Sequence, residues 1–139
     1  MSYLLDASAL MLLIKNADID TTVKCLQDSM ILDLTFYEIG NAIWKESSLT
    51  KFLTQKEAER LAATTQIILA KLNRLKTETD AFQKILEIAQ TENLTYYDST
   101  YLYTAKQHAL QLVTEDQKLE TKARKHVNVK RVANLLPQK

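Results

Sequence analysis

Apolar positions follow two rhythms along this chain. Short continuous runs at residues 3–5, 30–34 and 111–113 have the length and β-rich character of buried strands. Between them, apolar residues recur three and four apart, the period of a helix packed on one face. This spacing predicts helices over residues 7–15, 19–28 (through Val23 and Leu26) and 80–90 (through Phe82, Ile85 and Ala89). Ile39, Ala42, Ile43 and Leu49 define another helical face, opened by Thr35-Phe36-Tyr37-Glu38. Thr54-Gln55-Lys56-Glu57 opens a longer helix through Leu61, Ile68 and Leu72. Both openings have the Ser/Thr-x-x-Glu form of a capping box. Residues 94–97 read as a turn or a short extended piece, 99–108 and 117–125 as helices. Val127, Val129 and Val132 suggest a last strand.

Strands alternating with helices imply βαβ units. The expected fold class is α/β, with a small, mostly parallel sheet. In such folds ligands bind beyond the carboxyl ends of the strands, where strand gives way to helix.

The 139 residues fit one domain, 1–139, and a single Gly and a single Pro favour short connections. The one cysteine, Cys25, excludes an internal disulfide framework and a multi-cysteine zinc site. It reads as a buried structural thiol in a reducing, hence cytoplasmic, compartment. No positive charge precedes the apolar N-terminus and Asp6 interrupts it, which argues against a signal peptide. No apolar run approaches the roughly 18 residues of a membrane span.

The net charge of +1 says little, but its distribution says more. Residues 117–139 carry Lys118, Lys122, Arg124, Lys125, Lys130, Arg131 and Lys139 against one acid, Glu120. A basic end on an acidic body could follow a phosphate backbone, or could be a solvated helix face. His108 and His126 are isolated and read as surface or helix-end residues. Trp44 reads as core or as a protein contact. Tyr96, Tyr97, Tyr101 and Tyr103 crowd around Asp98, fit for core packing or for stacking on unpaired bases.

Four acids stand at junctions where helices begin: Asp6 in LLDAS, Glu38 in TFYEIGNAI, Asp98 in TYYDSTYL and Asp116 in LVTEDQKL. Each has a local explanation. Asp6 or Ser8 could be an N-cap, Glu38 the box partner of Thr35, and Asp98 an N-cap. Thr114 could cap with Gln117, leaving Asp116 near the positive end of a helix dipole. In a parallel sheet, however, at least three of the acids share one edge. Two carboxylates about 5 Å apart repel by roughly 3 kcal/mol at an effective dielectric near 20, so a cluster of four calls for a counter-charge. No His or Cys accompanies them, and all-oxygen ligation suits Mg²⁺ or Mn²⁺. Such an ion polarises phosphate and activates water, the chemistry of phosphodiester cleavage.

The segments LLDASAL, TFYEIGNAIWK and YYDSTYLYTAKQHALQLVTEDQKL, in this order, resemble the PIN-domain family, in particular the VapC toxins, the ribonuclease halves of toxin–antitoxin pairs. The resemblance covers nearly the whole chain. It implies a parallel sheet with helices on both sides and an acidic cluster, Asp6, Glu38, Asp98 and Asp116, that is both catalytic and binds Mg²⁺ or Mn²⁺. Ser8, Asn41 and Thr114 match supporting positions. Asn41 lies one helical turn after Glu38, on the same face. The resemblance further implies an RNA substrate, a homodimer and a cognate VapB-like antitoxin. Lys118, Lys122, Arg124, Lys125 and Arg131 are then candidates for contacts to the RNA backbone. Many relatives carry a further Asp near the position of Leu119. Here the nearest acid is Glu120, readable as a peripheral ligand or as part of a solvated helix face. Glu115 is expected to point away from the cluster.

The expected function is a metal-dependent endoribonuclease toxin. The alternatives are a PIN nuclease of RNA processing or DNA repair without an antitoxin, and a catalytically silent PIN-like scaffold. A haloacid-dehalogenase-like phosphatase would need a second Asp where Ser8 stands, and a receiver domain would need adjacent acids after the first strand.

Overall fold

In a computed structural model, residues 2–16 and 18–136 are described. Lys139, one of the seven basic residues of the C-terminal region, lies outside them. Five parallel strands form one sheet: β1 (Tyr3–Leu5), β2 (Ser29–Leu32), β3 (Asn73–Leu75), β4 (Gln111–Val113) and β5 (Val129–Lys130). Their order is β3-β2-β1-β4-β5. The chain builds outward from β1 in one direction through β2 and β3, then in the other through β4 and β5. The reversal falls between β1 and β4, which pair Tyr3 with Gln111 and Leu5 with Val113. That is the switch point at which open α/β sheets bind ligands.

Among the described residues, seven α-helices cover the sheet: α1 (Ala7–Asn16), α2 (Ile19–Cys25), α3 (Asp33–Trp44), α4 (Gln55–Lys71), α5 (Phe82–Glu92), α6 (Tyr96–Gln107) and α7 (Gln117–Ala123). Alternation along each strand divides the core in two. Leu5, Ile31 and Val113 point to one face, under Leu10, Leu13, Ile39, Ile68 and Leu69. Leu4, Leu32 and Leu112 point to the other, under Leu94, Tyr101, Leu102, Leu119 and Ala123. Period-two strands buried on both faces read as the continuous apolar runs seen in the sequence. The expected fold class, α/β with helices on both sides of a parallel sheet, is the one observed.

Several boundaries differ from expectation. Strand β2 stops at Leu32 and α3 begins at Asp33, so Thr35 is not an N-cap. Its hydroxyl instead accepts from the Leu32 backbone N–H (3.1 Å), and Glu38 is not its box partner. After α3 the backbone widens into a π-helical turn, Lys45–Leu49, which shifts the helical phase and leaves Leu49 exposed rather than on the apolar face. Trp44 is half exposed and does not belong to the core. Strand β3, an exposed edge strand reading Asn-Arg-Leu, lacks any apolar alternation and leaves no mark in the sequence pattern. Helix α6 starts at Tyr96, where a turn is expected, because Thr95 is its N-cap. The last strand is only Val129–Lys130, and Val132 falls in a 3₁₀ turn. The Thr54–Glu57 capping box forms as expected.

Leu112 is fully buried in β4 beside the switch point. Leu112→Ala is expected to cost about 2–5 kcal/mol, the range for a large-to-small core change. Denaturant unfolding of the two proteins checks this.

Candidate active site

Asp6 follows the last residue of β1 and is almost completely buried. Burial of an unpaired carboxylate costs several kcal/mol. Three donors offset that cost here. Its Oδ1 accepts from Ser8 Oγ (2.6 Å) and from the Ala9 backbone N–H (2.9 Å), and its Oδ2 accepts from Thr114 Oγ1. The Ala9 contact makes Asp6 the N-cap of α1, so capping and site placement are served by one side chain. The Asp6 N–H also donates to the Val113 carbonyl at 3.1 Å, locking β1 to β4 where both strands end.

Thr114 sits one residue beyond β4 and is fully buried. Its hydroxyl gives its proton to Asp6 and accepts from the Asp116 N–H at 3.0 Å. Ser8 Oγ in turn accepts from the Glu115 N–H at 3.0 Å. Ser8 and Thr114 therefore tie the loop after β4 to the start of α1. Asp116 is the N-cap of α7, accepting from the Leu119 N–H at 2.9 Å. This corrects the expectation of a Thr114 cap with Gln117 as partner: Thr114 is already committed to Asp6. Glu115 points away, its Oε2 accepting from the Val132 N–H at 3.1 Å.

Asp98 is not an N-cap either. It occupies the third helical position of α6, where its own N–H donates to Thr95 Oγ1 (3.1 Å). Its carboxyl in turn takes a side-chain hydrogen bond from Thr95. Glu38 lies midway along α3, half-buried, and accepts from Tyr101 Oη at 2.7 Å. Asn41 is exposed one turn further along α3.

Asp6 and Asp98 stand in the field of Asp116, and Glu38 in the fields of Asp6 and Asp98. Burial, then the charges of Asp116 and Asp6, push the Asp98 carboxyl up to about 6, opposed by the Thr95 hydrogen bond and then by Lys118. Burial raises Asp6 as well, against the hydrogen bonds from Ser8, Thr114 and Ala9, with Asp116 adding to the rise. Burial also raises Glu38, the Tyr101 hydrogen bond opposes it, and Asp6 and Asp98 add to the rise. The arrangement is electrostatically strained in favour of a bound cation.

Among the described residues, no three Asp, Glu, His or Cys side chains are drawn closely enough to enclose an ion in this structure. The donor chemistry nevertheless fits one. The set is all oxygen, its members repel, and it contains no nitrogen or sulfur ligand that would favour zinc. Asp6, Glu38, Asp98 and Asp116 could hold a hard divalent ion.

The basic residues divide. Glu120 accepts from Arg131 Nε (2.9 Å) and Nη2 (3.2 Å) and pairs with Arg124 at 3.5 Å, which pulls its carboxyl below the usual range. It belongs to this ion-pair network and not to the four acids. Lys125 pairs with Glu92 at 3.2 Å, and His126 Nε2 meets the same carboxylate at 2.7 Å. Of the five candidates for RNA contact, Arg124, Lys125 and Arg131 are thus engaged with acids of the chain. Lys118 lies near Asp98, and Lys122 is half-buried on α7.

Sequence reasoning missed Tyr101 as a partner of Glu38. Its spacing of three from Asp98 places both on one face of α6. Nothing local distinguishes it from Tyr96, which packs on Phe82, or from the exposed Tyr97.

A model of the PIN domain matches residues 3–125, and the chain belongs to the PIN-domain family. It is similar to Exonuclease VapC9 of Pyrobaculum aerophilum, 36 % identical over 128 residues that cover 91 % of this chain and 90 % of that protein. The crystal structure of PAE2754 from Pyrobaculum aerophilum superposes with a TM-score of 0.82 at 32 % identity, covering 97 % of this chain and 93 % of that one. FitAcB from Neisseria gonorrhoeae shares the fold, with a TM-score of 0.62 at 22 % identity over 94 % of this chain and 98 % of that one.

The shift of Asp98 fixes the sign of a pH effect. Its folded pKa of about 6 exceeds the ordinary 3.8, so its contribution is most favourable below pH 3.8 and is lost as pH rises through 6. Metal-free Asp98→Asn, neutral at every pH, is expected to melt a few degrees above the parent at pH 7.5. At pH 4 the two should melt together. Thermal unfolding in EDTA at both pH values checks this.

Proposed function

We propose that this chain is a metal-dependent endoribonuclease that hydrolyses RNA phosphodiester bonds and acts as the toxin of a VapBC-type toxin–antitoxin pair. Membership of the PIN family and likeness to a VapC-named nuclease support the class. The observation that carries the chemistry is the set of raised carboxyls by the switch point of the sheet, Asp6 and Asp98 in the field of Asp116 and Glu38 in the fields of Asp6 and Asp98. Asp6, Asp98 and Asp116 are proposed to hold Mg²⁺ or Mn²⁺ together with Glu38. Such an ion supplies polarisation of the phosphate and acidification of water.

The protein's own groups do the rest. Asp6 is fixed by Ser8, Ala9 and Thr114, so it does not reorganise when charge arrives. Glu38 has Oε1 committed to Tyr101, which leaves Oε2 to orient the attacking water or a second ion. In-line attack of that water on phosphorus breaks the P–O3′ bond and leaves a 5′-phosphate and a 3′-hydroxyl. Asn41 is proposed to orient the same groups from the next turn of α3. Lys118 and Lys122 are the basic residues best placed to follow the RNA backbone, since Arg124, Lys125 and Arg131 already have acid partners.

The chain is proposed to work as a single PIN domain in the cytoplasm, to form a homodimer and to be restrained by a cognate VapB-like antitoxin. No described helix is long and apolar enough to cross a membrane. Trp44, Tyr37 and Phe36 on α3 are exposed and available to a protein partner.

The test is cleavage of a circular single-stranded RNA and its linear form with Mg²⁺, Mn²⁺ or EDTA. An endonuclease opens the circle and an exonuclease leaves it intact. Cleavage of both forms is expected, dependent on metal and at least 100-fold slower in Asp98→Asn and in Asp6→Asn. Digestion of the linear form alone would move the reading to an exonuclease. Persistence of cleavage in EDTA would overturn metal dependence.

A further inference from the structure

Tyr101 is 1 % exposed, on the inner face of α6. Its hydroxyl donates to Glu38 Oε1 at 2.7 Å and stands 2.7 Å from Thr35 Oγ1. A carboxylate only accepts, so the single phenolic proton is committed to Glu38. The Thr35 hydroxyl must then donate to Tyr101, and its own lone pair takes the Leu32 N–H at 3.1 Å. Every proton in this buried chain therefore points the same way, from the end of β2 through Thr35 and Tyr101 to Glu38.

The chain joins three elements. Thr35 and Glu38 are one turn apart on α3, Leu32 closes β2, and Tyr101 stands three residues after Asp98 on α6. The helix that carries Asp98 thus also holds Glu38.

We propose that Tyr101, oriented by Thr35, is a positioning residue that sets the separation of Glu38 from Asp98 and so the affinity of the acidic site for a divalent cation. Without the phenol, Oε1 of Glu38 has no donor, the side chain gains rotamers, and α3 and α6 lose their polar tie at the site. This rests on the reading of the four acids as a metal site.

The test is titration of the whole protein with Mn²⁺ alone, followed by electron paramagnetic resonance, for the parent, Tyr101→Phe, Glu38→Gln and the double variant. Tyr101→Phe keeps the ring and its packing. It is expected to weaken Mn²⁺ binding about tenfold, within the 10–100-fold range for groups that orient metal ligands. In the Glu38→Gln background the same change is expected to have no further effect. A residue that served only the core would lower the melting temperature in both backgrounds and leave Mn²⁺ affinity unchanged. Thr35→Val, which keeps Tyr101 but removes the bond that aims its proton, is expected to weaken binding less, and Thr35→Ser to restore it. Thr35→Val and Thr35→Ser carry the test if Tyr101→Phe does not fold. Parent-like Mn²⁺ affinity in both Tyr101→Phe and Thr35→Val, or additive losses in the double variant, would overturn the positioning role alone. Failure of the parent itself to bind Mn²⁺ would overturn the metal reading and this proposal with it.

Discussion

A buried carboxylate at the end of the first strand is the constraint around which this molecule is arranged. Asp6 is tolerated because two hydroxyls and one backbone N–H converge on it, from Ser8, Thr114 and Ala9. Those same bonds start α1, seal β1 against β4 and anchor the loop that delivers Asp116. Removing any of them would leave a charge buried without its donors, which is far more costly than an ordinary lost hydrogen bond. The fold and the site therefore share their central interaction.

Around that point the acids are graded. Asp6 is buried, Asp98 and Glu38 are half-buried, and Asp116 is exposed. Each is held by a different device: a cap on α1, the first turn of α6, a phenol, and a cap on α7. Burial, with repulsion among the acids added to it, raises the pKa of Asp98 and Glu38, a cost in stability that a divalent ion would relieve. Sites that concentrate perturbed carboxylates in this way are the ones proteins use for chemistry.

The basic C-terminal region behaves differently from its composition. Glu120 pairs with Arg131 and Arg124, and Glu92 with Lys125 and the His126 ring, so much of that basic region faces acids of its own chain. The positive field near the acids is carried by α7, where Lys118 opposes the upward shift of Asp98. A nucleic acid approaching this edge would meet a narrow basic border beside the acids rather than a broad basic face.

Local patterns in the chain were enough to establish the alternation of strand and helix, the parallel sheet and the junction positions of Asp6, Asp98 and Asp116, whereas Glu38, expected in a first helical turn, lies midway along α3. Buried parallel strands must be apolar on both faces, and the first turns of helices favour acids, so both leave local marks. Such patterns could not reveal β3, whose edge position requires no apolar pattern, or the early starts of α3 and α6, where Thr35 and Thr95 serve roles that spacing alone does not separate. They also left open which tyrosine meets Glu38 and which cations are already paired. Packing settles these, because Tyr101 and Glu38 become neighbours only when α3 and α6 pack on the sheet, and Arg131 meets Glu120 only when the chain returns from α7 through β5. A hydrogen bond between residues 63 apart has no signature in either residue's local sequence.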